Sequence, residues 1–279
     1  MNTANFDFHC HSSVSDGLLP PDELARRAAA NGVTAWALTD HDDLGGLEQA
    51  AVAAGECGMD FVNGVEISIE WKDVPVHIVG LGFDAKETTL CAGLEELRSG
   101  RIERAKRMAA ALADIAIPDA FEGAMRYAGN PSLISRAHFA RYLVEIGICK
   151  DTAAVFHSYL VPGKPGYVDH RWATLEDAVA WIHAAGGVAV VAHPGRYKLS
   201  GGEMRAFFSE FKELGGQGIE VVCGSHGNDN VLHFARLARY FGFHASRGSD
   251  FHGPEESYVD LGKLAALPED LKPVWRLLA

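Results

Sequence analysis

The sequence predicts an α/β fold: a closed or nearly closed β/α barrel that carries a helical insertion. Three observations support this. Strand-like and helix-like segments alternate over both ends of the 279-residue chain, which implies a mainly parallel sheet with helices outside it. Between the two alternating regions, residues 86–160 carry helical signals alone. Finally, His9, His41, His193 and Asp250 stand at or just past the C-terminal ends of separate strands. A barrel gathers such ends at one face, whereas an open doubly wound sheet offers a single crevice.

The elements follow in order. Residues 5–9 read as a strand. Pro20-Pro21-Asp22-Glu23 opens a helix, with proline in its first turn and acids at the positive end of its dipole, and Asn31-Gly32 closes it. A buried strand over 33–39 and an Ala-rich helix over 44–57 come next, then strands over 61–69 and 74–83. Leu94, Leu97, Ile102, Ala105, Met108 and Leu112 recur at the spacing of one long amphipathic helix. Two more helices are expected over 133–146 and 152–160, before the punctuated loop Val161-Pro162-Gly163-Lys164-Pro165-Gly166. Alternation then resumes with a helix over 175–185, a strand over 188–192, a helix over 203–214, a strand over 219–222, a helix over 231–241 and a strand near 243–246. The barrel is thus expected from residues 1–85 and 166–279, and the helical cap from 86–165. No internal repeat or low-complexity tract is present.

Composition narrows the function. Hydrophobic residues make up 48% of the chain, enough for a sizeable core. The net charge of -12 argues against bulk nucleic-acid binding, which needs a broad basic surface. Five cysteines, Cys10, Cys57, Cys91, Cys149 and Cys223, stand singly with no CxxC pair, as expected of a cytoplasmic protein rather than a disulfide framework. Neither a charged-then-apolar leader nor an apolar run of membrane-spanning length is seen, and no protein partner is implied.

The chemistry-bearing residues are His9, His11, Asp16, His41, Glu66, His77, His193, Asp250 and His252. His9 and His11, two apart on a strand, share one face, and Asp250 and His252 repeat that spacing. Each has an ordinary alternative: a turn carboxylate for Asp16, a satisfied core histidine for His77, a helix cap for the aspartates around His41. Such alternatives account for them singly but not together at strand ends. Imidazole mixed with carboxylate, without thiolate, suits Mn²⁺, Fe²⁺, Zn²⁺ or Mg²⁺. Nine ligands exceed the needs of one ion, so two or three divalent ions are expected, with Glu66 bridging.

In this order, HxH, Asp, DH, Glu, His, HP and DFH resemble the polymerase-and-histidinol-phosphatase (PHP) family of amidohydrolase-like, metal-dependent phosphoesterases. The resemblance implies a distorted seven-stranded (β/α) barrel with a trinuclear centre, manganese being the favoured metal. It would give His9, His11, Glu66 and Asp250 to one ion and Glu66, His77 and His193 to a second. Asp16, His41 and His252 would hold a third, with Asp40 orienting a ligand histidine from behind. Similarity to the small stand-alone members continues through Ile134-Ser135-Arg136-Ala137-His138, Pro162-Gly163-Lys164 and His193-Pro194-Gly195-Arg196.

That likeness implies removal of the 3′-phosphate from 3′,5′-nucleoside bisphosphates by metal-activated hydroxide, leaving 5′-nucleotides. Glu66, Asp250, Arg196 and His226 are the candidate catalytic residues. Arg136, Lys164 and Arg196 are candidate phosphate ligands, and Ser135, His138 and His226 secondary substrate contacts. Two alternatives are a 5′-to-3′ exoribonuclease acting on short 5′-phosphorylated RNA and a non-enzymatic, metal-dependent nucleotide sensor. His157, His183, His233 and His244 receive no function.

Overall fold

Seven strands hydrogen-bond in chain order: β1 (Phe6–Asp7), β2 (Ala35–Leu38), β3 (Asp60–Trp71), β4 (Val74–Leu81), β5 (Val188–Val191), β6 (Gly218–Cys223) and β7 (His244–Gly248). The computed structural model describes residues 4–278, so the extreme ends of the expected barrel segments, 1–3 and 279, lie outside the described residues. The barrel nearly closes because β1 runs on alongside β7: Phe8 N–H donates to Arg247 O at 3.1 Å and Asp250 N–H to His9 O at 2.8 Å.

The sheet is less parallel than alternation implied. β4 runs antiparallel to both β3 and β5, and the other pairs are parallel. The cause is local. Lys72 and Asp73 both take left-handed φ angles, 49° and 64°, making the tight two-residue turn that joins antiparallel strands. One consequence corrects the rule of strand ends. His77 lies near the start of β4, and reaches the mouth because β4 runs backwards.

Strand residues alternate between two packed layers, as the pleat requires. Trp36, Leu38, Ile67, Ile78 and Val191 pack with the helices, whereas Ala35, Ala37, Val79, Leu81, Val190 and Ala192 form a separate inner cluster with Phe8 and Val274. Outside lie α1 (Pro21–Ala30), α2 (Leu47–Glu56), α3 (Thr88–Ser99), α8 (Leu175–Ala184), α9 (Gly201–Glu213) and α10 (Asn228–Phe241), while α4 (Arg101–Ala113), α5 (Ala120–Met125), α6 (Arg136–Glu145) and α7 (Thr152–Val155) build the cap.

The single long helix expected across residues 94–112 is two helices. Gly100 separates α3 from α4, and the His170 ring fills the space that a side chain there would need. Leu90, Leu94 and Leu97 join the barrel core, whereas Ala105, Met108 and Leu112 join a second core with Phe139, Leu143, Val155 and Leu160. The division between cores therefore falls near Gly100, later than residue 86. The helix expected over 133–146 begins only at Arg136. Ser135 caps α6, its hydroxyl accepting from Ala137 N–H while its own N–H donates to His138 Nδ1 at 3.0 Å. Residues 152–160 form α7 followed by a wider turn over Phe156–Leu160. Among the described residues no helix is long and apolar enough to cross a membrane.

Candidate metal centre and substrate cleft

Glu66 is fully buried in the middle of the candidate ligand set. Its Oε1 lies 2.9 Å from both His77 Nδ1 and His193 Nε2. Its Oε2 lies 3.3 Å from His9 Nε2, 3.2 Å from His11 Nε2 and 3.0 Å from His41 Nδ1. Asp250 Oδ1 stands 3.3 Å from His11 Nε2, and Asp16 Oδ1 stands 3.4 Å from His252 Nε2. All nine candidate ligands therefore converge at one end of the barrel. Four compact groups of donors result: His11, Asp16, His41 and His252; His9, Glu66 and His193; His9, His11 and Asp250; and His41, Glu66 and His77.

The donors fit divalent cations. Asp16 Oδ1, His41 Nδ1, Glu66 Oε2 and Asp250 Oδ1 are buried without a hydrogen-bond partner, a costly state unless a cation satisfies them. Electrostatics agree. Burial would raise Glu66, but His77, His9 and His41 hold it well below the usual carboxylate range. Burial likewise opposes ionisation of Asp250, and Arg196 and His9 outweigh it. In the metal-free chain His11 is pushed up to about 10: burial disfavours its charge, yet Asp250 and Glu66 prevail. The Asp250 and Glu66 carboxylates around His11 thus supply negative charge that a bound cation would balance.

Some of the chain's left-handed, non-glycine backbone lies here. Asp42, His193 and Asp250 take positive φ angles of 52°, 25° and 55° without being glycine. Such conformations persist only where the surroundings over-determine them. Around His193, Gly195 N–H donates to His226 Nε2 at 3.1 Å, and His226 Nδ1 donates to Val221 O at 3.0 Å. Tyr197 adds a second brace, donating its hydroxyl to Ala192 O at 2.8 Å and accepting His77 N–H at 3.0 Å.

Asp40 does not orient a histidine. One of its oxygens accepts Ser12 N–H at 2.7 Å and the Ser15 hydroxyl at 2.6 Å, and the other accepts the Ser12 hydroxyl at 2.6 Å. It thereby shapes the loop leading to Asp16. The histidine-orienting carboxylate is Glu220, which the sequence reading missed: its Oε1 accepts from His9 Nδ1 at 2.8 Å. The available signal was a lone acid between Ile219 and Val221 in an otherwise apolar strand.

Above the ligands lies a cleft of about 440 Å³ whose lining includes Arg101, Arg104, Arg136 and Arg196 together with Phe156 and Trp172. Arg101 and Arg104 stack on Trp172, with guanidinium carbons 5.2 and 5.4 Å from the ring centroid, and Arg136 lies 5.8 Å over Phe156. Burial, then the Arg136 and Arg101 charges, push Arg104 down to about 9, as expected of cations gathered without enough anion. Arg196 donates to Asp250 Oδ2 at 2.6 Å, joining this basic wall to the ligand set. Ser135 also lines the cleft, its hydroxyl 3.3 Å from Asp16 Oδ2.

Three expected substrate contacts do not line the cleft. Lys164 sits in a turn, donating its N–H to Val161 O at 3.0 Å. His138 is fully buried in the α6 cap, and His226 has both ring nitrogens engaged in positioning the turn after His193. Conversely, Arg101 and Arg104 do line it and were missed, since arginines on an amphipathic helix ordinarily mark its solvated face.

A barrel mouth that pairs buried candidate cation ligands with a basic cleft fits the class of metal-dependent hydrolases of anionic substrates. The PHP domain model matches residues 7–99. A 3′,5′-nucleoside bisphosphate phosphatase of Chromobacterium violaceum is 52% identical over 275 residues, covering 99% of this chain and 96% of that protein. A 5′-3′ exoribonuclease of Haemophilus influenzae is 41% identical, covering 98% of each. The solved structure of a Chromobacterium violaceum amidohydrolase with bound sulfate and no metal superposes with a TM-score of 0.95 at 52% identity, over 99% of this chain and 96% of that one. The chain belongs to the PHP family.

Proposed function

We propose that this protein hydrolyses the 3′-phosphate of 3′,5′-nucleoside bisphosphates and releases 5′-nucleotides. The observation that carries the proposal is the presence of two separate anion-binding poles in one cleft. At its floor stand seven of the nine candidate metal ligands, Asp16, His41, Glu66, His77, His193, Asp250 and His252, with the buried His9 and His11 beneath them, and on its cap wall stand Arg101, Arg104 and Arg136 beside Phe156 and Trp172. A bisphosphate has two anionic groups and a flat base between or beside them, and this distribution of charge and aromatic surface matches it. The similarity to the Chromobacterium violaceum phosphatase supports the same substrate.

The ligand set would hold two or three divalent ions, with manganese first and iron, zinc or magnesium as alternatives. Such ions polarise the phosphoryl oxygens and activate water. Glu66 would hold two ions together through its two oxygens. Asp250 would bind one, and its other oxygen accepts from Arg196, which would then stand ready to meet the reacting phosphate. Arg104 and Arg136 would bind the phosphate that stays, with Arg101, paired to Asp42, adding positive charge beside them. The chain is an enzyme, a phosphoric ester hydrolase, and a nucleotide sensor has no support in a site with a full complement of ligands. Five free cysteines fit a reducing cytoplasm as the place of action.

One feature favours a second substrate. Tyr258, at the cleft lining, is 85% exposed, an aromatic face on which a further base of a short 5′-phosphorylated RNA would stack. The deciding experiment supplies Mn²⁺-loaded protein with a 3′,5′-bisphosphate and, separately, with a 5′-phosphorylated oligoribonucleotide. Inorganic phosphate released from the first at the higher kcat/KM supports the proposal. Mononucleotides released from the second at the higher value, with little phosphate from the first, would replace it with the exoribonuclease.

A further inference from the structure

We infer that Arg141 is a positioning residue that fastens the helical cap to the ligands of one particular ion, the one offered His11, Asp16, His41 and His252. The inference rests on the metal-dependent reading above and concerns how that site is assembled.

Arg141 projects from α6 and is 6% exposed. Its Nη2 donates to the main-chain oxygen of Asp16 at 2.5 Å and to Glu256 Oε2 at 2.7 Å, and its Nε donates to Glu256 Oε1 at 2.8 Å. Glu256 belongs to the turn that presents His252, in which the Ser257 hydroxyl accepts the N–H groups of His252 at 2.7 Å and Gly253 at 3.2 Å. One guanidinium thus ties together the loops that carry Asp16 and His252. A planar, five-donor group is suited to spanning a carbonyl and a bidentate carboxylate at once, which an ammonium cannot do.

The third loop is held in the same manner. Asp42, next to His41, is buried and paired with Arg101 of α4, and its carbonyl accepts from Arg98 of α3 at 2.6 Å. The Asp42 carboxylate also accepts Ser68 N–H at 2.7 Å. So the loops bearing Asp16, His41 and His252 each receive a buried arginine from the cap side. The histidines at the opposite side are braced by the barrel itself: Glu220 accepts from His9 Nδ1 and from His193 N–H at 2.5 Å. Arg141 does not line the cleft, so it acts on the reaction only through the loops it holds. The geometry assigns the cap a share, with Asp40 and Ser68 of the barrel, in assembling one ion site, whereas Glu220 of the barrel braces His9 and His193.

The test is metal stoichiometry. Wild type, Arg141→Met, Arg141→Lys and Glu256→Gln are loaded with Mn²⁺, desalted and analysed for metal per chain, with circular dichroism as the check on folding and calorimetric titration for affinity. The expected result is three ions in wild type and two in Arg141→Met and Glu256→Gln. The missing ion should bind about 10-fold or more weakly, the usual consequence of removing an outer partner of a metal ligand. Arg141→Lys should recover part of the loss. Three tightly held ions in both folded variants would overturn the inference, as would loss of every ion together. Should Arg141→Met fail to fold, Glu256→Gln decides alone. A wild type holding fewer than three ions would instead refute the trinuclear reading beneath the inference.

Discussion

Glu220 Oε1 lies 2.8 Å from His9 Nδ1, and its Oε2 accepts the His193 N–H at 2.5 Å. One carboxylate therefore fixes a side chain just past the first strand and a strained main-chain turn after the fifth. It can do so because β6 slips register between Glu220 and Val222, a bulge of the sort that re-aims a side chain beside a site. Glu220→Gln keeps the shape and removes the charge. Metal affinity is expected to fall about 10- to 100-fold, with the fold retained. Calorimetric titration of the metal-free variant with Mn²⁺ measures this, and wild-type affinity would reduce Glu220 to a packing role.

Glu66→Gln should be more severe. Its two oxygens face different histidines, His77 and His193 on one side and His9, His11 and His41 on the other. An amide offers one acceptor and no charge, so two ions cannot share it. Turnover should fall by about 100-fold or more, with fewer ions bound. Near wild-type turnover and metal content would make Glu66 structural.

Arg136→Ala tests the second anion pole. Losing a charge-assisted hydrogen bond to the uncleaved phosphate should cost about 2 kcal/mol in kcat/KM on a bisphosphate, or roughly 30-fold. The loss should be smaller on a monoester lacking that phosphate. Equal losses on both substrates would assign Arg136 to the reacting centre or to cap stability.

His138 gives a pH signature. Burial pushes it down to about 4, against the opposing pull of Asp16. Between pH 4 and 6.5 the unfolded chain binds a proton that the folded chain does not. Stability therefore rises with pH across this window and is lost as pH falls from 6.5 towards 4, by about 3 kcal/mol. Glutamine can preserve the capping box, so His138→Gln in the metal-free protein should lack this contribution. Urea unfolding of both proteins at the two pH values provides the comparison, and identical pH slopes would remove His138 from the account.

Most of the fold was legible because the signals were local. Pro21 at the start of α1 and Gly32, with φ 81°, just past its end fix that helix without reference to the rest of the chain. The break at Gly100 was not legible: it depends on His170, seventy positions away, occupying the space beside it. The reversal of β4 was marked only by Lys72-Asp73, which lacks the glycine that usually announces such a turn.

The sequence by itself determined the alternating α/β layout and the nine candidate metal ligands, because each was marked by residue type and by its place on a strand or just past one. Tertiary structure alone decided how those residues are supported. Asp40 serves the Ser12–Ser15 loop rather than a histidine, Glu220 takes the histidine, and Arg101 and Arg104 turn inwards to the cleft while Lys164 does not. The physical reason is the range of the interactions. A metal ligand is recognised by its own chemistry, but a supporting hydrogen bond such as Glu220 to His9 joins positions 211 residues apart, and only the closed barrel brings them within reach.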